Sequence, residues 1–163
     1  MVLVNYADKK VNCKIVYYGT AESGKTTNLI YIYNQLDDST RSKLVTLESQ
    51  EERTLFFDFL SLDLGEIKGF TTTFSLYTVP GQPEYNDARR LMLNGVDGIV
   101  LVADSHPNKK AENIEALKNL KENLAEYGLN TSSIPVVLQY NKRDLEESID
   151  LEDLDKDLNE DGF

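Results

Sequence analysis

Hydrophobic positions along this chain come as short apolar bursts separated by polar stretches, several of which repeat at helical spacing. Residues 11–18 (VNCKIVYY) are β-branched and aromatic and predict a buried strand, which runs straight into Gly19 and then a helical stretch ending near residue 35. Residues 36–53 are polar and aperiodic and predict a long mobile loop. Two further strands are predicted over 55–60 (LFFDFL) and 72–79, and the short connection holding Gly65 and Gly69 makes them an antiparallel hairpin. A helix over 83–93, a buried strand over 98–103, a longer helix over 108–127 and a strand over 135–140 (PVVLQY) follow. In the longer helix Ile114, Leu117, Leu120, Leu124 and Tyr127 make the expected core stripe, and Gly128 supplies the stop. Leu151, Leu154 and Leu158 recur at i, i+3 and i+7 and predict an amphipathic helix. Strands alternating with helices predict a single α/β domain of three layers over residues 1–163, its sheet mostly parallel with one antiparallel strand.

Composition narrows the function classes. The formal net charge of −11 is concentrated at one end: residues 144–163 hold ten acids and one lysine, so the rest of the chain is close to neutral. The acidic end reads as a solvated helix face with a loop. Nothing here favours a nucleic-acid binder or an anionic-membrane binder driven by bulk charge. The longest uninterrupted apolar run, over 98–103, is far short of the ~20 residues of a membrane span. Charges at Asp8, Lys9 and Lys10 interrupt any signal-peptide core, and the lone Cys13 excludes an intrachain disulfide and suits a reducing compartment. The expectation is a cytoplasmic domain.

The chemistry is concentrated in three motifs. Gly19-x-x-x-x-Gly24-Lys25-Thr26, between a predicted strand and a predicted helix, has the P-loop pattern in its proper context. Such a loop turns backbone N–H groups around Gly19, Ala21, Glu22, Ser23, Gly24 and Thr27 towards phosphate, and the helix N-terminus adds positive potential. Lys25 then reaches the β- and γ-phosphates, and the Thr26 hydroxyl faces Mg²⁺. Asn141-Lys142-Arg143-Asp144 follows the last predicted strand, where an α/β sheet presents ligand contacts. Asp144 there would accept hydrogen bonds from the N1 and exocyclic N2 of guanine, while Lys142 lies along base and ribose; adenine would leave the carboxylate unpaired. Between these motifs lies Thr78-Val79-Pro80-Gly81-Gln82. Gly81 offers a backbone N–H to a γ-phosphate, and Gln82 can orient an attacking water. Position 78 is anomalous, because P-loop GTPases usually place a metal-linked Asp there. Either the metal is held by Thr26, a loop hydroxyl and phosphates, or hydrolysis is weak.

The runs NCKIVYYG, SGKTTN, ERT, TVPGQ, RR, GVDGIVLVADS and QYNKRDL together resemble the bacterial mutual gliding-motility (MglA-like) branch of the Ras-type small GTPases, over nearly the whole chain. The resemblance implies a Ras-like P-loop fold and a Mg²⁺-dependent switch cycling between GTP and GDP. It also implies control of cell polarity or motility through effectors, a homodimeric Roadblock-type activator, and enrichment at the cell poles. Carried over by residue, Thr54 faces Mg²⁺ and the γ-phosphate, Arg53 is an arginine supplied in cis, and Gln82 positions water. Slow turnover alone, stimulation by the activator and a register shift of the strand around Phe56 to Phe59 are implied too. At its end the sequence departs from the pattern: small GTPases continue into a sixth strand and a final helix, so a truncated domain is expected.

Two other readings compete. One is a nucleotide-dependent binding module with negligible hydrolysis, which Thr78 favours. The other is a P-loop kinase, disfavoured by the Thr78–Gln82 and Asn141–Asp144 motifs. Among the remaining residues, His106 has no second ligand nearby to make a zinc site, and Cys13 reads as buried packing. Arg89 and Arg90 read as a solvated or salt-bridged helix face.

Overall fold

The computed structural model describes residues 3–47 and 57–163. Its strands are β1 (Leu3–Asn5), β2 (Lys10–Gly19), β3 (Val45–Leu47), β4 (Phe57–Ile67), β5 (Phe70–Thr78), β6 (Gly98–Asp104) and β7 (Val136–Asn141). The helices are α1 (Lys25–Gln35), α2 (Asn86–Met92), α3 (Lys110–Ala125) and α4 (Leu151–Leu158). The sheet runs β3-β4-β5-β2-β6-β7, with β1 pairing antiparallel to the start of β2. β5, β2, β6 and β7 are mutually parallel, as strand–helix–strand crossovers require, and the β4–β5 hairpin is antiparallel as expected. β1 and β3 are three-residue strands too short for a hydrophobic period to reveal.

Alternation along the central strands divides the core in two. Val16 and Tyr18 of β2 with Leu101 and Ala103 of β6 face α2, α3 and α4. Tyr17 and Val102 face the other way, onto Leu29 of α1 together with Leu60 and Leu76. The result is the three-layer sandwich predicted, with both faces of the parallel strands covered. Leu120 is fully buried at the centre of α3. Its replacement by alanine is expected to cost about 2–5 kcal/mol, read as a lower melting temperature in thermal denaturation.

Several expectations are corrected. The helix expected over 108–127 is a 3₁₀ turn, Pro107–Lys109, followed by α3. Ile114 and Tyr127 are exposed, not core, and Asn113, Ala116 and Asn123 take the buried face instead. The asparagines are there for polar reasons. Asn113 clamps the backbone of Asp104 in both directions, at 3.0 and 2.8 Å, and Asn123 donates to Tyr18 Oη at 3.0 Å and Asn86 Oδ1 at 2.9 Å. Gly128 does end the helix. It lies at φ +68°, its N–H bonds Ala125 O, and Leu129 N–H reaches Leu124 O, which is a Schellman closure.

The stretch expected as a loop is pinned where it is described. Ser42 N–H donates to Ser61 O and Asp63 N–H to Thr40 O, so residues 40–42 run along β4 before β3 adds to the edge. Cys13 is only half-buried; burial and Asp97 push its thiol pKa up, which disfavours a nucleophile. The acidic end is partly docked, since Asp157 and Asp161 pair with Lys110 and Lys121 of α3 at 2.7 and 2.8 Å.

Candidate nucleotide site

The C-terminal ends of β2, β5, β6 and β7 deliver Gly19, Thr78, Asp104 and Asn141 to one edge of the sheet, where open α/β sheets bind ligands. Three glycines permit the segments there to touch. A Cβ on Gly19, at φ +139°, would stand 2.2 Å from Val102 O. One on Gly24, at φ +99°, would stand 2.2 Å from Asn141 Nδ2, and one on Gly81 would stand 2.2 Å from Ala21 N. Each contact joins the loop at 19–26 to a different neighbour, so each position is closed to any side chain. Glu22 takes a left-handed conformation, φ +62°, to complete the turn.

Behind that loop α1 opens with Asn28 N–H on Gly24 O at 3.0 Å. The N–H groups of Lys25, Thr26 and Thr27 precede this first helical bond and face the cavity end of the helix. The Lys25 side chain is buried and curls back, donating to Gly19 O at 3.1 Å and Thr20 O at 2.5 Å. An ammonium has three donors, so one remains for a ligand. Burial, followed by the nearby Arg89 guanidinium, lowers its pKa from 10.5 to about 8, against the opposing pull of Asp58. The Thr20 and Ser23 hydroxyls are buried without a hydrogen-bond partner among the described residues.

A cavity of about 350 Å³ opens on this loop, and its walls include Ala21, Glu22, Lys25, Thr26, Gly81 and Gln82 of the predicted set. Those residues are therefore brought together. Gln82 is exposed at the cavity mouth, heading the 3₁₀ turn Pro83–Tyr85 that leads into α2. The segment Asn141–Asp144 adjoins it: Asn141 Nδ2 donates to Ser23 O at 2.8 Å, tying the end of β7 to the loop at 19–26. Lys142, at φ +61°, pairs with buried Asp104 at 2.7 Å, and Asp144 is exposed beside it. Arg53 and Thr54 lie outside the described residues.

Sequence reasoning missed three residues here. Asp58 of β4 is buried, and the hydroxyls of Thr26, Thr78 and Thr46 donate to it at 2.6, 2.8 and 2.9 Å. The available signal was a lone charge inside the apolar run LFFDFL, since an aspartate on a core strand must find donors. Thr46 of β3 was missed with its strand. Arg89 is 5% exposed, not part of a solvated face, and its guanidinium donates to Pro83 O at 3.2 Å and lies 6.0 Å from the Tyr18 ring centre. Arg90 is the more exposed member of the pair, bonded to Asp87.

The donor set fits Mg²⁺ bound with a polyphosphate. No cluster of three or more acidic, histidine or cysteine side chains forms among the described residues, so an all-protein cage is absent there. One threonine hydroxyl beside one carboxylate suits an ion that keeps waters and takes its other oxygens from phosphates. No described helix is long and apolar enough to cross a membrane.

The profile of the ADP-ribosylation factor family matches residues 1–162. The mutual gliding-motility protein MglA of Myxococcus xanthus (strain DK1622) is 54% identical over 159 residues, covering 98% of this chain and 82% of the relative.

Proposed function

Because this chain belongs to the ADP-ribosylation factor family of small GTPases, we propose that it acts as a GTP-hydrolysing switch governing cell polarity and motility through GTP-dependent effectors. GTP binding and GTPase activity come with the family. The observation that supports the site-level reading most is the 2.8 Å bond from Asn141 to Ser23, which ties the end of β7 to the Gly19–Thr26 loop. In this reading Lys25 and the loop N–H groups hold the β- and γ-phosphates. The Gly81 N–H meets the γ-phosphate, and Asn141, Lys142 and Asp144 read the base. Thr26 and Thr54 would hold Mg²⁺, which supplies charge neutralisation on the phosphate oxygens.

Gln82 orients the attacking water, and Arg53 stabilises the transferring phosphoryl group from within the same chain. An arginine in that role is worth about 10³–10⁵ in rate. The motility role follows the name of the Myxococcus relative, and enrichment at the cell poles is proposed on the sequence resemblance alone. A homodimeric Roadblock-type protein is the proposed activator, aligning Arg53 and Gln82. Single-turnover GTP hydrolysis with and without that activator tests this: turnover is expected to be slow alone and to rise markedly with the activator. Unchanged turnover would remove the mechanism and favour the second reading, a nucleotide-dependent binding module with negligible hydrolysis, to which the uncharged Thr78 lends support.

The lowered Lys25 pKa makes a further prediction. With the ammonium titrating near pH 8 in the free protein, a phosphate anion beside it favours the protonated form and raises that pKa. Binding therefore takes up a proton when pH lies above about 8, and affinity falls as pH rises through that region. Calorimetry of GDP binding at pH 8.5 in buffers of different ionisation enthalpy is expected to report net proton uptake. At pH 6.5, where Lys25 is already charged, its uptake is expected to vanish.

A further inference from the structure

We propose that Asp58 supplies, from the neighbouring strand β4, the metal-linked carboxylate that position 78 lacks, acting on Mg²⁺ through Thr26. The inference rests on reading the site as a Mg²⁺–nucleotide site. Pairing of Phe59 with Tyr77 sets Asp58 beside Thr78 at the end of the hairpin. There the Thr78 hydroxyl accepts from Asp58 N–H and donates to its carboxylate, both at 2.8 Å. Thr78 thus carries no charge of its own but orients one that arrives from the next strand.

The same oxygen, Oδ2, accepts from the Thr26 hydroxyl at 2.6 Å. A hydroxyl that donates its only proton to a carboxylate keeps its oxygen lone pairs for a cation, and the charge behind it makes that oxygen a better ligand. Asp58 also lines the cavity with Lys25 and Gln82, and its charge reaches Lys25. A carboxylate 4% exposed and held by hydroxyls would be expensive as a mere strand tie; an adjacent divalent cation offsets that cost. In the register described here Asp58 is a positioning residue, orienting the Thr26 ligand.

The test is Mn²⁺ affinity of the GDP complex, followed by electron paramagnetic resonance, for wild type, Asp58→Asn and the carboxylate swap Asp58→Asn/Thr78→Asp. Removing a group that orients a metal ligand typically costs 10–100-fold in metal affinity. Asp58→Asn is expected to weaken Mn²⁺ binding at least tenfold. The swap is expected to return Mn²⁺ affinity to within tenfold of wild type. A Mn²⁺ affinity in Asp58→Asn that is equal, tighter or weakened less than tenfold would overturn the assignment. If Asp58→Asn does not fold, the swap decides alone: recovery supports the proposal, and a tenfold or greater deficit overturns it. Failure of the wild type to bind GDP in the presence of Mg²⁺ would instead sink the site reading itself, so the two failures are distinguishable.

Discussion

Lys25→Met is expected to weaken GDP and GTP binding by about 30- to 4,000-fold. That range corresponds to the ~2–5 kcal/mol lost when one member of a buried charge pair is truncated. Methionine retains most of the side-chain volume, so the cavity wall survives while the charge does not. The loss has two sources. The phosphates lose a cation that the fold has already desolvated, and Gly19 O and Thr20 O lose the donor that shapes the loop around them. The variant is therefore expected to melt at a lower temperature even without nucleotide. Titration with a fluorescent GDP analogue, paired with thermal denaturation, separates the two parts. A variant that bound GDP as tightly as wild type would mean that phosphate is held elsewhere.

Asp144→Asn is expected to lower GDP affinity by about 10²–10⁴-fold. Two hydrogen bonds from guanine to a carboxylate are each worth about 1.5–3 kcal/mol. The asparagine amide has one acceptor and one donor edge, so it mismatches the two donors of guanine. It matches a purine that carries a carbonyl where guanine has its exocyclic amine, so xanthosine diphosphate is expected to bind this variant better than GDP. Competition of the two diphosphates for wild type and variant reads the reversal. Because Asp144 is exposed and lies outside the core clusters, stability is expected to be unchanged.

Much of this site is written into local sequence. The phosphate loop declares itself because Gly19, Gly24 and Lys25 answer to local backbone demands, and the strands feeding it are continuous apolar runs. The α/β alternation predicts the sandwich for the same reason. What stayed hidden depends on tertiary placement. Asp58 is one charge in an apolar strand, and nothing local says that three threonines from three other elements converge on it. Arg89 has the sequence neighbourhood of a surface arginine, yet α2 turns it beneath the Gln82 loop while Arg90 points outward. In α3 the hydrophobic stripe mispositions the buried face, because Asn113 and Asn123 are spent on backbone and network bonds that a hydrophobicity pattern scores as solvent. Arg53 and Thr54, to which the proposed mechanism gives roles, lie outside the described residues.

The central claim is that Asn141, Lys142 and Asp144 make the phosphate loop specific for guanine nucleotides. Equilibrium competition between GDP and ADP for the wild-type protein in Mg²⁺ tests it most directly. GDP is expected to bind at least about 10³-fold tighter, as befits a site that leaves a polar group unpaired against the wrong base. Comparable affinities for GDP and ADP would contradict the account.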